Sequence, residues 1–125
     1  MTKLLWIGAG GFIGAVSRYV VSGMFYRFFG KAMFPYGTLA VNIIGCLLIG
    51  FLSGITEDRQ ILSPEMKLFI FIGILGGFTT FSTFGYEIFS FVRDGQILSS
   101  FTNLTLHMIL GLGAVWLGYT VSKIM

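Results

Sequence analysis

Leu68-Phe69-Ile70-Phe71-Ile72-Gly73-Ile74-Leu75-Gly76-Gly77-Phe78-Thr79-Thr80-Phe81-Ser82-Thr83-Phe84-Gly85-Tyr86 runs without a single charged residue. It has the length of a bilayer-spanning helix, about 20 residues. Its middle is nonetheless poor helix: two adjacent glycines are followed by β-branched and hydroxyl-bearing residues. The stretch predicts a membrane span that breaks midway. In lipid, carbonyls freed by such a break are tolerated only where protein, water or an ion satisfies them. Freed carbonyls gathered around a point suit a small cation.

Three similar runs surround it. Residues 4–24 are apolar apart from Arg18, residues 32–56 carry no charge, and neither do residues 95–122. Charges collect between the runs: Arg27 and Lys31, then Glu57-Asp58-Arg59 through Glu65 and Lys67, then Arg93-Asp94, with Lys123 closing the last. Glu87 stands at the edge of the third run. Spans of these lengths cross with some tilt. Pro35 and Pro64 fall at helix starts, where a missing N–H matters little. The chain has 125 residues, 55% apolar and 10% charged, against roughly a quarter charged in a soluble domain. Soluble and disordered classes are thereby excluded. With one Cys, Cys46, a disulfide scaffold is excluded too. Four spans use nearly the whole length, so residues 1–125 are read as a single four-helix transmembrane domain, all-α and multi-pass. Lys3 before an apolar run imitates a signal peptide, but the run is long, contains Arg18 and lacks a small-residue cleavage site, so it reads as a retained helix.

The charges barely choose an orientation. With four spans, Lys3, Arg59, Lys67 and Lys123 lie on one side and Arg27, Lys31 and Arg93 on the other. The positive-inside rule gives no clear answer to so even a balance. Either one charge or early insertion decides, or the chain inserts both ways and two copies pair antiparallel about an axis in the membrane plane.

Several motifs carry candidate chemistry. Gly8-Ala9-Gly10-Gly11-Phe12-Ile13-Gly14 has the wrong spacing for a dinucleotide loop. Small residues at i, i+4 (Gly10 and Gly14, Gly50 and Gly54, Gly73 and Gly77) instead argue for closely packed helices and self-association. Arg18, expensive inside an apolar run, either snorkels to headgroups or sits at a wet mouth that attracts anions. Thr38 and Asn42 share one face of the second span, and Asn103 and His107 share one face of the fourth. Each pair is either interhelical glue or the wall of a polar path. Phe81 and Phe84 are i, i+3 beside the hydroxyls of Thr79, Ser82 and Thr83. Aromatic ring edges are electropositive and can face a small anion; packing beside a kink is the alternative.

Gly37-Thr38-Leu39-Ala40-Val41-Asn42 and Gly-Gly-x-Thr-Thr-Phe-Ser-Thr-Phe at 76–84, with Arg18 and Glu87 in place, resemble the Fluc (CrcB-type) fluoride channels over essentially the full length. The resemblance implies a dual-topology antiparallel homodimer in a bacterial inner membrane. Two pores would pass fluoride passively out of the cytoplasm. It implies a structural Na⁺ held by the backbone carbonyls of Gly76 and Thr79 from each subunit. Phe81 and Phe84 would form the aromatic box and Asn42 the pore-lining amide. Thr38, Thr83 and Glu87 would be polar-track or vestibule groups, beside the Ser82 hydroxyl, and Arg18 the vestibule arginine. Asn103 and His107 would extend the path along the fourth helix. Such a channel needs no energy coupling, and the chain has no phosphate loop and no motif for an enzyme. Its partners would be fluoride, lipid and a second copy, with no nucleic acid or soluble protein implied. A proton-coupled exporter of the small multidrug resistance type is the rival, but that type rests on a membrane-embedded carboxylate, and the first span here carries Arg18 and no acid. A non-transporting assembly subunit is a second rival.

Overall fold

The computed structural model describes residues 1–59 and 61–125, apart from the side chain of Asp58. Among these residues, four helical stretches are long and apolar enough to cross a membrane. The first is α1 (Thr2–Phe29), ended by Gly30 at φ 62°. Such a left-handed turn favours glycine. The second is α2 (Tyr36–Arg59), entered just after the buried Pro35, whose carbonyl accepts from the Leu39 N–H at 3.2 Å. The fourth is α6 (Ile97–Ile124).

The third span is composite. It begins with α3 (Pro64–Lys67), capped by the Ser63 hydroxyl, which accepts from the Met66 N–H at 3.2 Å. A π-helical segment, Leu68–Leu75, follows, then α4 (Gly76–Phe78), then two extended residues, then α5 (Phe81–Arg93). The expected break exists but lies two to three residues beyond the glycines. Gly76 and Gly77 stay helical, whereas Thr79 and Thr80 are extended, with ψ 159° and 113°. The hydroxyls account for the shift. The Thr79 Oγ1 turns back to the Leu75 carbonyl at 2.9 Å, and the Thr80 Oγ1 accepts from the Thr83 N–H as the cap of α5. The Leu75 carbonyl keeps its ladder bond from the Thr79 N–H at 3.0 Å, whereas the Thr80 hydroxyl takes the Thr83 N–H away from the ladder and starts a new helix there. The third helix also runs to Arg93, so Glu87 lies within it and not at its edge.

The glycine pairs are consumed inside one chain. A methyl added at Gly10 would fall 2.9 Å from the Gly73 Cα, and one at Gly77 would fall 2.8 Å from the Gly11 carbonyl oxygen. Backbones of α1 and the third span therefore touch, as small residues allow in lipid. Gly50 of α2 meets the Val115 backbone of α6 in the same way. Burial is inverted relative to a soluble bundle. The buried face of α6 is Asn103, His107, Gly111, Ala114, Gly118 and Ser122, while Leu98, Leu112, Trp116 and many other large apolar side chains lie outside. That distribution suits a protein whose solvent is lipid.

Candidate functional site

In an unbroken helix the Gly76 carbonyl would accept from the Thr80 N–H, and the Thr79 carbonyl from the Thr83 N–H. Both N–H groups go elsewhere. The Thr80 N–H donates to Asn42 Oδ1 at 2.8 Å, and the Thr83 N–H to the Thr80 hydroxyl at 3.3 Å. The Gly76 carbonyl thus loses its ladder donor. The Thr79 carbonyl instead accepts from Arg18 Nη1 at 3.3 Å. Arg18 is therefore turned inward to the break, and the cost of its charge is offset by a carbonyl dipole.

Asn42 is the centre of the arrangement. Its Nδ2 donates to the Thr80 carbonyl at 3.1 Å and lies 3.2 Å from His107 Nε2. One side chain from α2 thereby satisfies both backbone groups of Thr80 and reaches α6. His107 Nδ1 lies 3.0 Å from the Asn103 carbonyl, and its ring lies against Phe84, centroids 4.2 Å apart. The Phe81 and Phe84 rings touch at 5.7 Å with planes tilted 58°. They face differently: Phe84 is 5% exposed and Phe81 79%. Asn42, Thr79, Thr80, Phe81, Phe84 and His107 line a cleft of about 350 Å³.

One turn further along α5, Glu87 accepts a hydrogen bond from the Thr38 hydroxyl. The Asn103 amide lies beside that carboxylate. Asn103 is 0% exposed, and among the described residues both its amide atoms and the Glu87 Oε2 are buried without a hydrogen-bond partner. Buried polar groups left this way mark a place for water or an ion. Glu87 also lines a second cleft of about 330 Å³, with Tyr26, Phe34, Tyr86 and Asp94. Polar groups therefore run in a row from that cleft, through Glu87, Thr38 and Asn103, to His107, Asn42 and Thr80. The expected polar faces of α2 and α6 meet each other across this row. Ser82 and Thr83 are placed less centrally: both are exposed, and Thr83 joins through Thr80, whose hydroxyl bonds the Thr83 hydroxyl at 3.0 Å and accepts from its N–H at 3.3 Å. Thr80 itself belongs among the site residues and was not singled out from sequence. A hydroxyl residue three positions before Thr83, at the start of a helix, is the cap signal that identifies it. Among the described residues no three His, Cys, Asp or Glu side chains come together as a metal group.

Fold and site define a class: a small multi-pass membrane protein with an interrupted third span and a buried polar row crossing the interruption. Residues 5–119 match the family described as CrcB-like protein, Camphor Resistance (CrcB). A "Fluoride-specific ion channel FluC" of Geotalea uraniireducens is 42% identical over 123 residues, covering 98% of each chain. The protein of that name from Chlorobium phaeobacteroides is 44% identical over 97% of this chain and 93% of its own. One from Clostridium novyi is 44% identical over 94% and 91%. The chain belongs to the CrcB family.

Proposed function

We propose that this chain is a passive fluoride channel that lets the anion leave the cytoplasm. The observation that carries the reading is the polar row from Glu87 and Thr38 through Asn103 to His107, Asn42 and Thr80, bordered by the Phe84 ring. The names of the relatives support fluoride as the ion. An amide whose hydrogens have no partner, as at Asn103, and aromatic ring edges can replace water around a small anion without a counter-ion that would trap it. Arg18 raises the local positive potential near the break. Hydrofluoric acid enters a cell neutral and dissociates, and a negative-inside potential then drives the anion outward at about 2.3 kcal/mol per 100 mV.

The working unit is an antiparallel homodimer in the bacterial inner membrane, with two antiparallel pores per dimer. The exposure of Gly76, whose carbonyl has lost its ladder donor, supports this, since lipid cannot satisfy such a group. A Na⁺ ion between two such breaks would take carbonyls from Gly76 and Thr79 of each copy. The fit is good at Gly76, whose carbonyl has lost its ladder donor. At Thr79 one lone pair faces Arg18, and the second is left for a cation. Uncharged oxygens suit a monovalent hard ion better than Ca²⁺ or Mg²⁺, which recruit carboxylates or retain water.

Fluoride efflux from proteoliposomes, read with a fluoride electrode beside a chloride control, tests the reading. Rapid fluoride release without a pH gradient is expected. Release only when a proton gradient is imposed would favour a coupled exporter built on Glu87, and no release would favour a non-transporting subunit. Exhaustive removal of Na⁺ should lower flux, and Na⁺ but not K⁺ should restore it; indifference to Na⁺ would defeat the cation site.

A further inference from the structure

The hydrogen bonds around Asn42 fix more than its position. The Thr80 N–H can only donate, so the Asn42 atom 2.8 Å from it is the amide oxygen. The amide nitrogen is thereby assigned, with two hydrogens to place. One goes to the Thr80 carbonyl at 3.1 Å, and the other points to His107 Nε2 at 3.2 Å. An Nε2 that faces a donor must be bare. A neutral imidazole then carries its proton on Nδ1, which lies 3.0 Å from a pure acceptor, the Asn103 main-chain carbonyl. Two independent neighbours select the same tautomer. The Phe84 ring, 4.2 Å away by centroid, packs against the imidazole and restrains its plane.

We propose that His107 is a positioning residue: a tautomer-locked acceptor on α6 that holds the Asn42 amide across the break at Thr80. Its action on fluoride passage is indirect, through Asn42 and the extended backbone of Thr80. That consequence for flux rests on the channel reading, whereas the positioning itself does not. The geometry also explains why an acceptor is needed at this place. Without one, a half-buried Asn42 hydrogen has no protein partner, and the amide is held to Thr80 less firmly.

The chain contains a single histidine, so ¹⁵N labelling of histidine reports only this ring. Nuclear magnetic resonance of the intact protein should show a protonated Nδ1 and a bare Nε2. In His107→Leu, exchange of the Thr80 amide hydrogen should rise roughly 2- to 10-fold, the loss expected for one hydrogen bond. In His107→Gln, whose Oε1 reaches the place of Nε2, protection should return toward the wild-type level, and flux with it. A protonated Nε2, unchanged Thr80 exchange in His107→Leu, or a Gln variant no better than Leu would overturn the proposal. If the wild type passes no fluoride while the tautomer and the exchange pattern are as expected, the channel reading fails and the positioning role stands.

Discussion

Asn42 makes both of its contacts to Thr80 with one planar group, so removing either end of that group has a calculable effect. Asn42→Leu leaves the Thr80 N–H and carbonyl without partners. An unsatisfied buried group costs about 1–3 kcal/mol, so thermal unfolding in detergent should occur well below the wild-type temperature, with fluoride flux lost. Asn42→Asp keeps an acceptor for the Thr80 N–H but sets an oxygen against the Thr80 carbonyl and against His107 Nε2. Its stability should fall between those of Leu and the wild type. The two phenylalanines separate differently. Phe84 is buried against His107, and Phe81 lies outside. Phe84→Ile should therefore destabilise by about 1–3 kcal/mol and Phe81→Ile by little, while both reduce flux severely. Normal flux in both variants would reduce the rings to packing groups.

Among the elements, the contact of α1 with the third span is made by backbone. Gly10→Ala has no room, because its methyl would meet the Phe69 carbonyl and lie 2.9 Å from the Gly73 Cα. Gly8, two residues earlier, has nothing within 4 Å of an added methyl. Gly10→Ala should abolish a monodisperse peak in size-exclusion chromatography. Gly8→Ala should leave it unchanged or improve stability by up to about 1 kcal/mol, the helix propensity difference. Equal behaviour of the two would mean that the seam is not tight. The sequence made the four spans readable because charge is nearly confined to the connections, and it made the small-residue seam readable through its spacing. It placed the break only to within a few residues, since glycines and threonines are both poor helix formers and the Thr80 bonds that decide between them involve Asn42 of another span. The π-helical turn at Leu68–Leu75 has no signature in so uniformly apolar a run. The pairing of Asn42 with His107 was hidden for another reason: two polar faces can be seen separately, but nothing local says that they meet.

For the whole molecule, the surface belongs to lipid and the orientation to a handful of charges. Ile61→Lys with Leu62→Lys adds positive charge to one side, and Ala32→Lys with Met33→Lys adds it to the other. The bias of Lys and Arg sets topology. Each double variant alone should lose fluoride flux, and co-expression of the two should restore it. Full activity of either variant alone would contradict the antiparallel pair. The path of the chain also sets a timetable for its synthesis. Asn42 finds its ring partner 65 residues later, at His107. At about 5–20 residues per second of translation, that delay is roughly 3 to 13 s. Thr80 arrives first and takes both ends of the Asn42 amide, so the break is made before the ring that steadies it. A ribosome stalled before residue 97 leaves a chain with the Asn42–Thr80 pairing but without its His107 support. The last helix to be translated is thus the one that completes the polar row.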